Sequence, residues 1–396
     1  MFTILPFYAK IAVMEIINIK DTSNKLFYIG GVVRDEFLGR KSFDIDITYV
    51  GNAIEYCTRF GKVIQKNPDF GTVRVKLSPL IRLSDTFSHD GEKDEVIVDF
   101  ASTRSESYPR KGHLPFVEKI GCSLKEDVMR RDFTINALAK SVATGEIVDY
   151  TGGLDDLKNK KLRVLHDESF IDDPTRIIRG LKFSVRFGFE LDKHTRLLQE
   201  EYLSNINYDM SYKRVKKELI ETFNLNSQVA FEKFINEKIY KLVTENDVQL
   251  PKTNIENLIN EYLTAQLPDC MAAIWLVYAG VLGDLSRLPL TKIEQKILDD
   301  VPKRILQDDF ELYKTFENAH IESVLLYGIL KDEAGARHYL DDLRNIKISV
   351  TGKDLQNLGI KPSPKYQEIF DELLKQKLIK PQMTIEEEIE LIEKLK

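Results

Sequence analysis

Strand-type and helix-type sequence patterns occupy different parts of this chain, and that division limits the folds open to it. Short apolar runs typical of strands recur in the first 150 residues, as in "LFYIGG", "FDIDITYV", "GTVRVKL" and "EVIVDFAS". From residue 151 onward, apolar residues recur at three- and four-residue intervals, which is the spacing of amphipathic helices. We therefore predict an α+β chain, with an N-terminal mixed β-sheet followed by all-α domains.

Turn-forming Pro and Gly residues divide the helical part further. The stretches "QLPK", "RLPLTK" and "IKPSPK" separate helical segments, and a small terminal domain opens at "ISVTGKDLQNLGIKPSP". We expect domains over residues 1–150, 151–225, 226–340 and 341–396. A length of 396 residues and a hydrophobic content of 43% suffice for several buried cores.

The cysteines and the N-terminal segment bear on where the protein acts. Cys57, Cys122 and Cys270 are too widely spaced for a disulfide framework or a structural zinc site, and they favour a reducing compartment. The first residues are apolar but lack a basic opening, and Pro6 interrupts them, so we do not expect a signal peptide; Met14 is a second candidate start. Since no run approaches the roughly 20 apolar residues of a membrane span, these features predict a cytoplasmic protein without membrane association.

The net charge of −6 argues against a nucleic-acid partner, but only weakly. Salt screens charge over about 8 to 10 Å, so a polyanion responds to the local surface. Two local stretches are basic, "SYKRVKKEL" at 211–219 and "RIIRGLKFSVRF" at 176–187. Each is either an RNA-facing surface or the solvated face of an ordinary helix.

The stretch "FYIGGVVRDEFLGRKSFDIDITYV", residues 27–50, combines a glycine turn with two carboxylates. Gly30 and Gly31 follow a strand and precede a helix, so their backbone N–H groups can face a phosphate. Strand alternation puts Asp44 and Asp46 on one face and the isoleucines on the other. Two carboxylates this close repel unless a cation lies between them, and Mg²⁺ prefers carboxylate and phosphate oxygens. The spacing therefore favours a metal site over a solvated strand face.

Other polar residues extend this site and leave alternatives open. Asp99 interrupts the apolar run "EVIVDFAS", where it either faces solvent at a strand end or serves the metals. In "RRDFTINALA", residues 130–139, we expect a helix with Arg131 and Asp132 at its start and Asn136 further along. The arginines can reach phosphate or ribose oxygens, or Asp132 can pair with one of them.

The segment "DDPTRIIRGLKF" combines an acid and a base. Asp173 precedes Pro174, which is an ordinary N-cap arrangement. Asp173 and Arg176 also lie on one helical face and together match the amine and the ring nitrogen of cytosine and adenine. Uracil and guanine present a carbonyl in place of the amine, and such a mismatch is costly in a buried site. Arg179 and Lys182 continue the spacing and would serve the triphosphate.

In order and spacing, "GGVVRD…DIDIT", "RRDFTINALA", "DDPTRIIRGLKFSVRFGF" and "SYKRVKKEL" resemble one known family. They are similar to the class II tRNA nucleotidyltransferases, or CCA-adding enzymes, and the bacterial poly(A) polymerases. The resemblance is densest over residues 27–220, and "VTGKDLQNLGIKPSPKYQEIF" resembles the tail segment of many bacterial members. It implies a catalytic nucleotidyltransferase head (1–150), a helical neck that recognises the base (151–225), a helical body (226–340) and a helical tail that binds tRNA (341–396).

The resemblance also implies a role for each candidate residue. Asp44, Asp46 and Asp99 would be the catalytic carboxylates, with Asp44 and Asp46 as ligands of Mg²⁺. The nucleotide-binding set would comprise Gly30, Gly31, Arg34, Arg131, Asp132, Asn136, Asp173, Arg176, Arg179 and Lys182. The family's base-template motif usually begins with Glu, whereas Asp172 stands at that position here. With "SESYPRKGHLP" upstream, the motif is closer to the branch that includes enzymes adding only the terminal A.

The implied reaction adds CCA to the 3′ end of tRNA from CTP and ATP. The 3′-hydroxyl would attack the α-phosphate in line, with two Mg²⁺ ions bound and pyrophosphate released. Addition of A alone, addition of CC alone and poly(A) synthesis share the template and the metals, so sequence separates them poorly. The chain ends in "TIEEEIELIEKLK" rather than a long basic extension, which disfavours a poly(A) polymerase. A non-catalytic RNA-binding relative is disfavoured because all three carboxylates are present.

Overall fold

The computed structural model describes residues 19–77, 96–264 and 273–395, except Lys20, Thr22 and Phe43. The chain divides into two compact units, Met1–Ser211 and Tyr212–Lys396. The predicted order, a mixed sheet followed by helices, is confirmed. Among the described helices, none is long and apolar enough to cross a membrane. Met14 and Cys270 lie outside the described residues, whereas Cys57 and Cys122 are buried free thiols.

A seven-stranded mixed sheet lies at the centre of the described part of the first unit. Its strands are β1 (Leu26–Ile29), β2 (Asp46–Tyr49), β3 (Lys62–Asn67), β4 (Thr72–Leu77), β5 (Val96–Ser102), β8 (Ala139–Ser141) and β9 (Ile147–Val148). Their spatial order is β3-β4-β5-β2-β1-β8-β9, and β2 and β5 run parallel while the other neighbours are antiparallel. A separate hairpin pairs β6 (Arg104–Ser107) with β7 (Phe116–Ile120).

Side-chain alternation around β2 follows the sequence prediction. Ile45 and Ile47 are buried in the core, whereas Asp44 and Asp46 are exposed on the opposite face. The apolar pair therefore anchors the strand in the sheet, while the polar pair remains available at the surface. The parallel register with β5 sets Asp46 directly beside Asp99.

Helices flank the sheet and continue beyond it. In the first unit they are α1 (Gly31–Phe37), α2 (Ala53–Cys57), α3 (Leu124–Met129), α4 (Gly153–Lys158), α5 (Ser169–Asp172), α6 (Thr175–Phe187) and α7 (Lys193–Ser204). Ser123 and Glu126 form a capping box that starts α3. Two short strands, β10 (Lys161–Leu162) and β11 (Glu190–Leu191), pair in parallel, so a small β-ladder lies within the range expected to be all-helical.

The helix expected over residues 130–139 does not form. The helix α3 ends at Met129, residues 134–136 make a single 3₁₀ turn, and residues 139–141 form β8. Asp132 accepts hydrogen bonds from the Phe133 backbone N–H and the Asn136 amide, and such local bonds compete with helical ones. Ala139 pairs with Ile29 of β1, so sheet pairing overrides the helical pattern.

The described part of the second unit is helical. Its α-helices are α8 (Tyr212–Phe223), α9 (Gln228–Asn236), α10 (Ile255–Ile259), α11 (Ile274–Gly280), α12 (Lys292–Asp299), α13 (Asp309–Phe316), α14 (Ile321–Leu330), α15 (Glu333–His338), α16 (Gly352–Asn357), α17 (Lys365–Ile379) and α18 (Ile385–Leu395). A buried ion pair of 2.6 Å between Lys377 and Glu388 joins the last two helices. The division into four domains stays a prediction.

The basic stretch in α8 contains a cation with a structural role. Lys216 Nζ donates to Glu294 at 2.6 Å and to the Pro289 carbonyl oxygen at 3.0 Å. It also lies 5.4 Å from the centroid of the Trp275 ring. Lys216 therefore ties α8 to the start of α12. This lysine of the basic stretch thus takes part in ordinary helix packing.

Candidate active site

A cavity of about 460 Å³ opens where β2, β4 and β5 lie side by side. Its charged lining residues are Asp46, Arg74, Asp99, Arg104, Arg130 and Arg131. Guanidinium groups can donate two parallel hydrogen bonds to phosphate oxygens, and carboxylates are the oxygen ligands that divalent cations prefer. The lining therefore has the chemistry needed to hold a polyphosphate together with a metal.

The Asp46 carboxylate at the start of β2 has a raised pKa. Although Asp46 is exposed, it lines the cavity, and desolvation there is the largest cause. Arg131 lowers the pKa, whereas repulsion from Asp99 and Asp44 raises it further. These three are the carboxylates identified from the sequence, and they interact electrostatically at this edge of the sheet. A divalent cation would relieve this repulsion, so Asp44 and Asp46 have the chemistry of metal ligands.

Asp99 is paired with an arginine that the sequence analysis did not single out. Arg74 Nε and Nη2 donate to the two oxygens of Asp99 at 2.7 and 2.8 Å. The register explains the pair, because Asp99 on β5 has Asp46 on one side and Arg74 of β4 on the other. Arg74 could have been found from the alternation in "GTVRVKL", where it shares a face with Thr72 and Lys76. Within the described residues, no three acidic, His or Cys side chains are arranged to hold a metal.

At the glycine turn, Gly30 lets the Arg131 side chain approach the backbone closely. Gly30 has a φ of 70°, and a Cβ there would lie 3.1 Å from Arg131 Nη1 and 3.6 Å from the Asn136 carbonyl oxygen. Its N–H donates to the Leu138 carbonyl oxygen at 3.2 Å, so this amide is engaged within the fold. Gly31 begins α1, and a Cβ there would meet Arg34 only at an ordinary 3.6 Å. Of the two glycines, Gly30 is the one that the local geometry requires.

We expect Gly30→Ala to cost more stability than Gly39→Ala. Both glycines have positive φ, 70° and 63°, so each alanine pays a strain of about 1 kcal/mol. Only at Gly30 does the new methyl group press on Arg131, which adds about 1 kcal/mol of overpacking. Chemical denaturation of the two variants measures the difference. Equal losses would contradict the close approach.

Arg131 lines the cavity, and its guanidinium has one buried donor without a partner. Its Nη2 lies 3.4 Å from Asp127, whereas its buried Nε has no hydrogen-bond partner in the described structure. Burial lowers the pKa of Arg131, and Asp127 acts in the opposite direction. The Arg131 side chain remains 21% exposed and lines the cavity, so its guanidinium can approach a phosphate there.

Four candidate residues form one hydrogen-bonded chain. Arg34 Nη1 donates to Asn136 Oδ1 at 2.5 Å, and Asn136 Nδ2 donates to Asp132 Oδ1 at 3.0 Å. Asp132 Oδ2 accepts from Nε and Nη2 of Arg179 at 2.8 and 2.7 Å. Burial raises the pKa of Asp132, but Arg179 and Asn136 together hold it well below its usual range. The chain links α1 to α6, and the partner of Asp132 is Arg179 rather than a neighbouring arginine.

Two phenylalanines of α6 lie against these cations. The Arg34 guanidinium is 4.4 Å from the centroid of Phe187, and those of Arg34 and Arg179 are each 5.4 Å from that of Phe183. The buried Lys182 places its Nζ 5.6 Å from the same Phe183 ring. The four-residue spacing of the rings in "KFSVRF" was the sequence signal for this cation–π surface. A role of Arg179 and Lys182 toward a triphosphate stays a prediction.

Asp173 and Arg176 are fixed where α5 meets α6. Asp173 Oδ1 accepts from the backbone N–H and the hydroxyl of Thr175, at 3.2 and 2.6 Å, as in the N-cap arrangement. Arg176 donates from Nη1 to Ser169 Oγ at 2.7 Å and from Nη2 to the Arg130 carbonyl oxygen at 2.8 Å. Asp173 is 5% exposed and Arg176 is 3% exposed. Their match to a nucleotide base stays a prediction.

Comparisons with known proteins agree with the fold and the motifs. Residues 26–163 match the poly A polymerase head domain family. The A-adding tRNA nucleotidyltransferase of Aquifex aeolicus is 30% identical over 388 residues, which cover 85% of this chain and 43% of that protein. The CCA-adding enzyme of Bacillus pumilus is 29% identical over 371 residues, covering 86% and 85% of the two chains. This chain therefore spans less than half the length of the Aquifex relative.

Solved structures show the same fold along nearly the whole chain. A CCA-adding enzyme in its apo form II aligns with a TM-score of 0.75 and 25% identity, covering 93% of this chain and 91% of that one. The Thermotoga maritima CCA-adding enzyme complexed with tRNA aligns with a TM-score of 0.66 at 24% identity, covering 94% and 92%. Residues 26–163 thus resemble the poly A polymerase head domain, and the chain as a whole is similar to CCA-adding and A-adding tRNA nucleotidyltransferases, in line with the sequence motifs.

Proposed function

We propose that this protein transfers nucleotides from CTP and ATP to the 3′ end of tRNA in the cytoplasm, adding CCA and releasing pyrophosphate. One observation carries the proposal: Asp46 and Asp99 lie side by side in a cavity that Arg131 also lines. The chain from Asn136 through Asp132 to Arg179 links the segment directly after the cavity-lining Arg131 to the helix bearing Arg176. The similarity to CCA-adding and A-adding tRNA nucleotidyltransferases supports the same reaction.

Asp44 and Asp46 would hold the divalent cations, for which Mg²⁺ is our candidate, with Asp99 as a third carboxylate. Bound cations would lower the pKa of the tRNA 3′-hydroxyl and neutralise charge on the reacting oxygens. Arg131, which lines the cavity, would donate from its guanidinium to a phosphate oxygen of the nucleotide. Attack of the hydroxyl on the α-phosphate then forms the phosphodiester and releases pyrophosphate, with no covalent enzyme intermediate.

Asp173 and Arg176 would select the base. An acid accepts from the exocyclic amine of cytosine or adenine, and a guanidinium donates to the adjacent ring nitrogen. Both side chains are buried and held by neighbours, so they cannot turn to suit uracil or guanine at low cost. This rigidity supports a template made of protein side chains.

Addition of A alone is the second candidate. The relatives of Aquifex aeolicus and Geobacter sulfurreducens, 30% and 29% identical, are named A-adding tRNA nucleotidyltransferases. The Bacillus pumilus relative named a CCA-adding enzyme is also 29% identical. Identity therefore does not separate the two products, and a measurement must.

The experiment supplies Mg²⁺ and one labelled nucleotide at a time to three tRNA substrates, ending at the discriminator base, at C and at CC. CCA addition predicts C on the first two and A on the third. A on the CC-ended tRNA alone would identify the A-adding product, and a long A ladder on unstructured RNA would identify a poly(A) polymerase. No incorporation into any tRNA would contradict the proposal.

A further inference from the structure

The segment 108–113, in "SYPRKGH", packs against the short helix α5. Lys111 Nζ donates to Asp172 Oδ1 at 2.5 Å and to Glu168 Oε2 at 3.1 Å. The Gly112 N–H donates to the Asp172 carbonyl oxygen at 2.9 Å. The end of α5 is therefore held through both a side chain and the main chain of this segment.

The position of α5 determines the position of both base-template candidates. Ser169, at the first residue of α5 and fully buried, accepts the hydrogen bond from Arg176 Nη1. Asp172, its last residue, directly precedes Asp173, whose extended backbone is favoured by the Pro174 that follows. A helix of one turn is not stable by itself, so α5 depends on contacts from outside.

Tyr108, in the same segment, contacts Arg176 directly. Arg176 Nη2 lies 3.4 Å from the Tyr108 hydroxyl, and the guanidinium carbon lies 5.9 Å from the ring centroid. With Ser169 and the Arg130 carbonyl oxygen, the tyrosine is the third group that contacts the guanidinium. The segment thus reaches Arg176 both directly and through α5.

The segment is also anchored away from α5. Arg110 Nη2 donates to Asp209 Oδ1 at 2.5 Å, and His113 Nε2 lies 3.1 Å from the same oxygen. Loss of the Lys111 side chain would therefore remove a contact to α5 while leaving these other anchors in place. The Lys111 side chain is 41% exposed, and such a pair adds little to global stability.

We propose that Lys111 and Tyr108 are positioning residues for nucleotide selection, Lys111 by fixing α5 through Asp172 and Tyr108 by confining Arg176. This inference rests on the proposed function. It assigns a purpose to the Asp at position 172, whose carboxylate receives the lysine. It also explains why the segment 108–113 lies against α5 and contacts Arg176 of α6 rather than extending into solvent.

The test compares kcat/KM for ATP and for GTP on CC-ended tRNA, since both candidate products add A to that end. We expect Lys111→Met to lower the ATP-over-GTP selectivity about tenfold, and Tyr108→Leu to do the same. Lys111→Arg retains the pair and should retain selectivity. Lys125→Met is the matched control, because Lys125 is exposed and lines the same 470 Å³ cavity as Lys111.

The outcomes distinguish failure of the positioning role from failure of the proposed function. Wild-type selectivity in both Lys111→Met and Tyr108→Leu would overturn the positioning role while leaving nucleotide addition intact. An equal loss in Lys125→Met would attribute the effect to charge alone and would also overturn it. A wild-type protein that adds no A would overturn the proposed function and the inference together. Thermal midpoints near the wild-type value verify that the variants are folded.

Discussion

The Asp46→Asn variant is expected to lose nucleotide addition by roughly 10³-fold or more while unfolding at a temperature no lower than the wild type. The loss follows because the amide lacks the charge needed to hold a cation beside the phosphate. The retained stability follows from the raised pKa of Asp46, which cavity desolvation and the carboxylates of Asp99 and Asp44 produce. The substitution should therefore lower activity without lowering stability.

The effect of Asp46 on stability depends on pH. An unfolded Asp ionises near its usual pKa of about 3.9, whereas the folded carboxylate holds its proton to higher pH. Ionisation then destabilises the folded state, beginning above the unfolded pKa and complete once the pH exceeds the folded pKa. The stability advantage of Asp46→Asn should be largest near neutral pH and disappear as the pH falls through that window. Thermal unfolding at a series of pH values measures it, and a variant less stable at pH 7 would contradict this reasoning.

The Asp132→Asn variant is expected to lose about 2 to 4 kcal/mol of unfolding free energy and most nucleotide addition. The substitution leaves Arg179 without its charge partner and weakens the chain that joins α1 to α6. The expected loss is below that of a fully buried pair because the Arg179 side chain is 32% exposed. Urea unfolding at neutral pH measures the loss, and single-nucleotide addition measures the accompanying defect.

Asp155→Asn is the matched control for Asp132→Asn. Asp155 pairs with Lys158 at 3.4 Å on α4, and both side chains are largely exposed. We expect this control to lose less than about 1 kcal/mol. Because the pKa of Asp132 is lowered in the fold, its contribution is present above the unfolded pKa and is lost as the pH falls through the folded pKa. Equal losses in the two variants at neutral pH would contradict the role given to the chain.

The sequence predicts the features that depend on local periodicity. The burial of Ile45 and Ile47 against the exposure of Asp44 and Asp46 follows from the two-residue period of a strand. The helix predicted over residues 130–139 does not form, because β8 gains its stability from pairing with a strand more than 100 residues away. A periodic pattern carries no information about such a partner.

The sequence could not predict which side chains pair with one another. Arg179 pairs with Asp132, and Lys216 pairs with Glu294, each across a long stretch of chain. In the basic stretches, spacing indicated cations but not whether each faces solvent, a ligand or a carboxylate. Tertiary packing decides that, and it turns Lys216 into a structural tie while leaving the Arg131 Nε unpartnered.

The most direct measurement is single-turnover A addition to CC-ended tRNA, with Mg²⁺ and labelled ATP, by the wild-type protein and by Asp46→Asn. We predict that the wild type adds one A to each tRNA and that the variant, although folded, adds essentially none. A wild type that adds no nucleotide, or a variant as active as the wild type, would contradict the proposal that these carboxylates catalyse nucleotide transfer to tRNA.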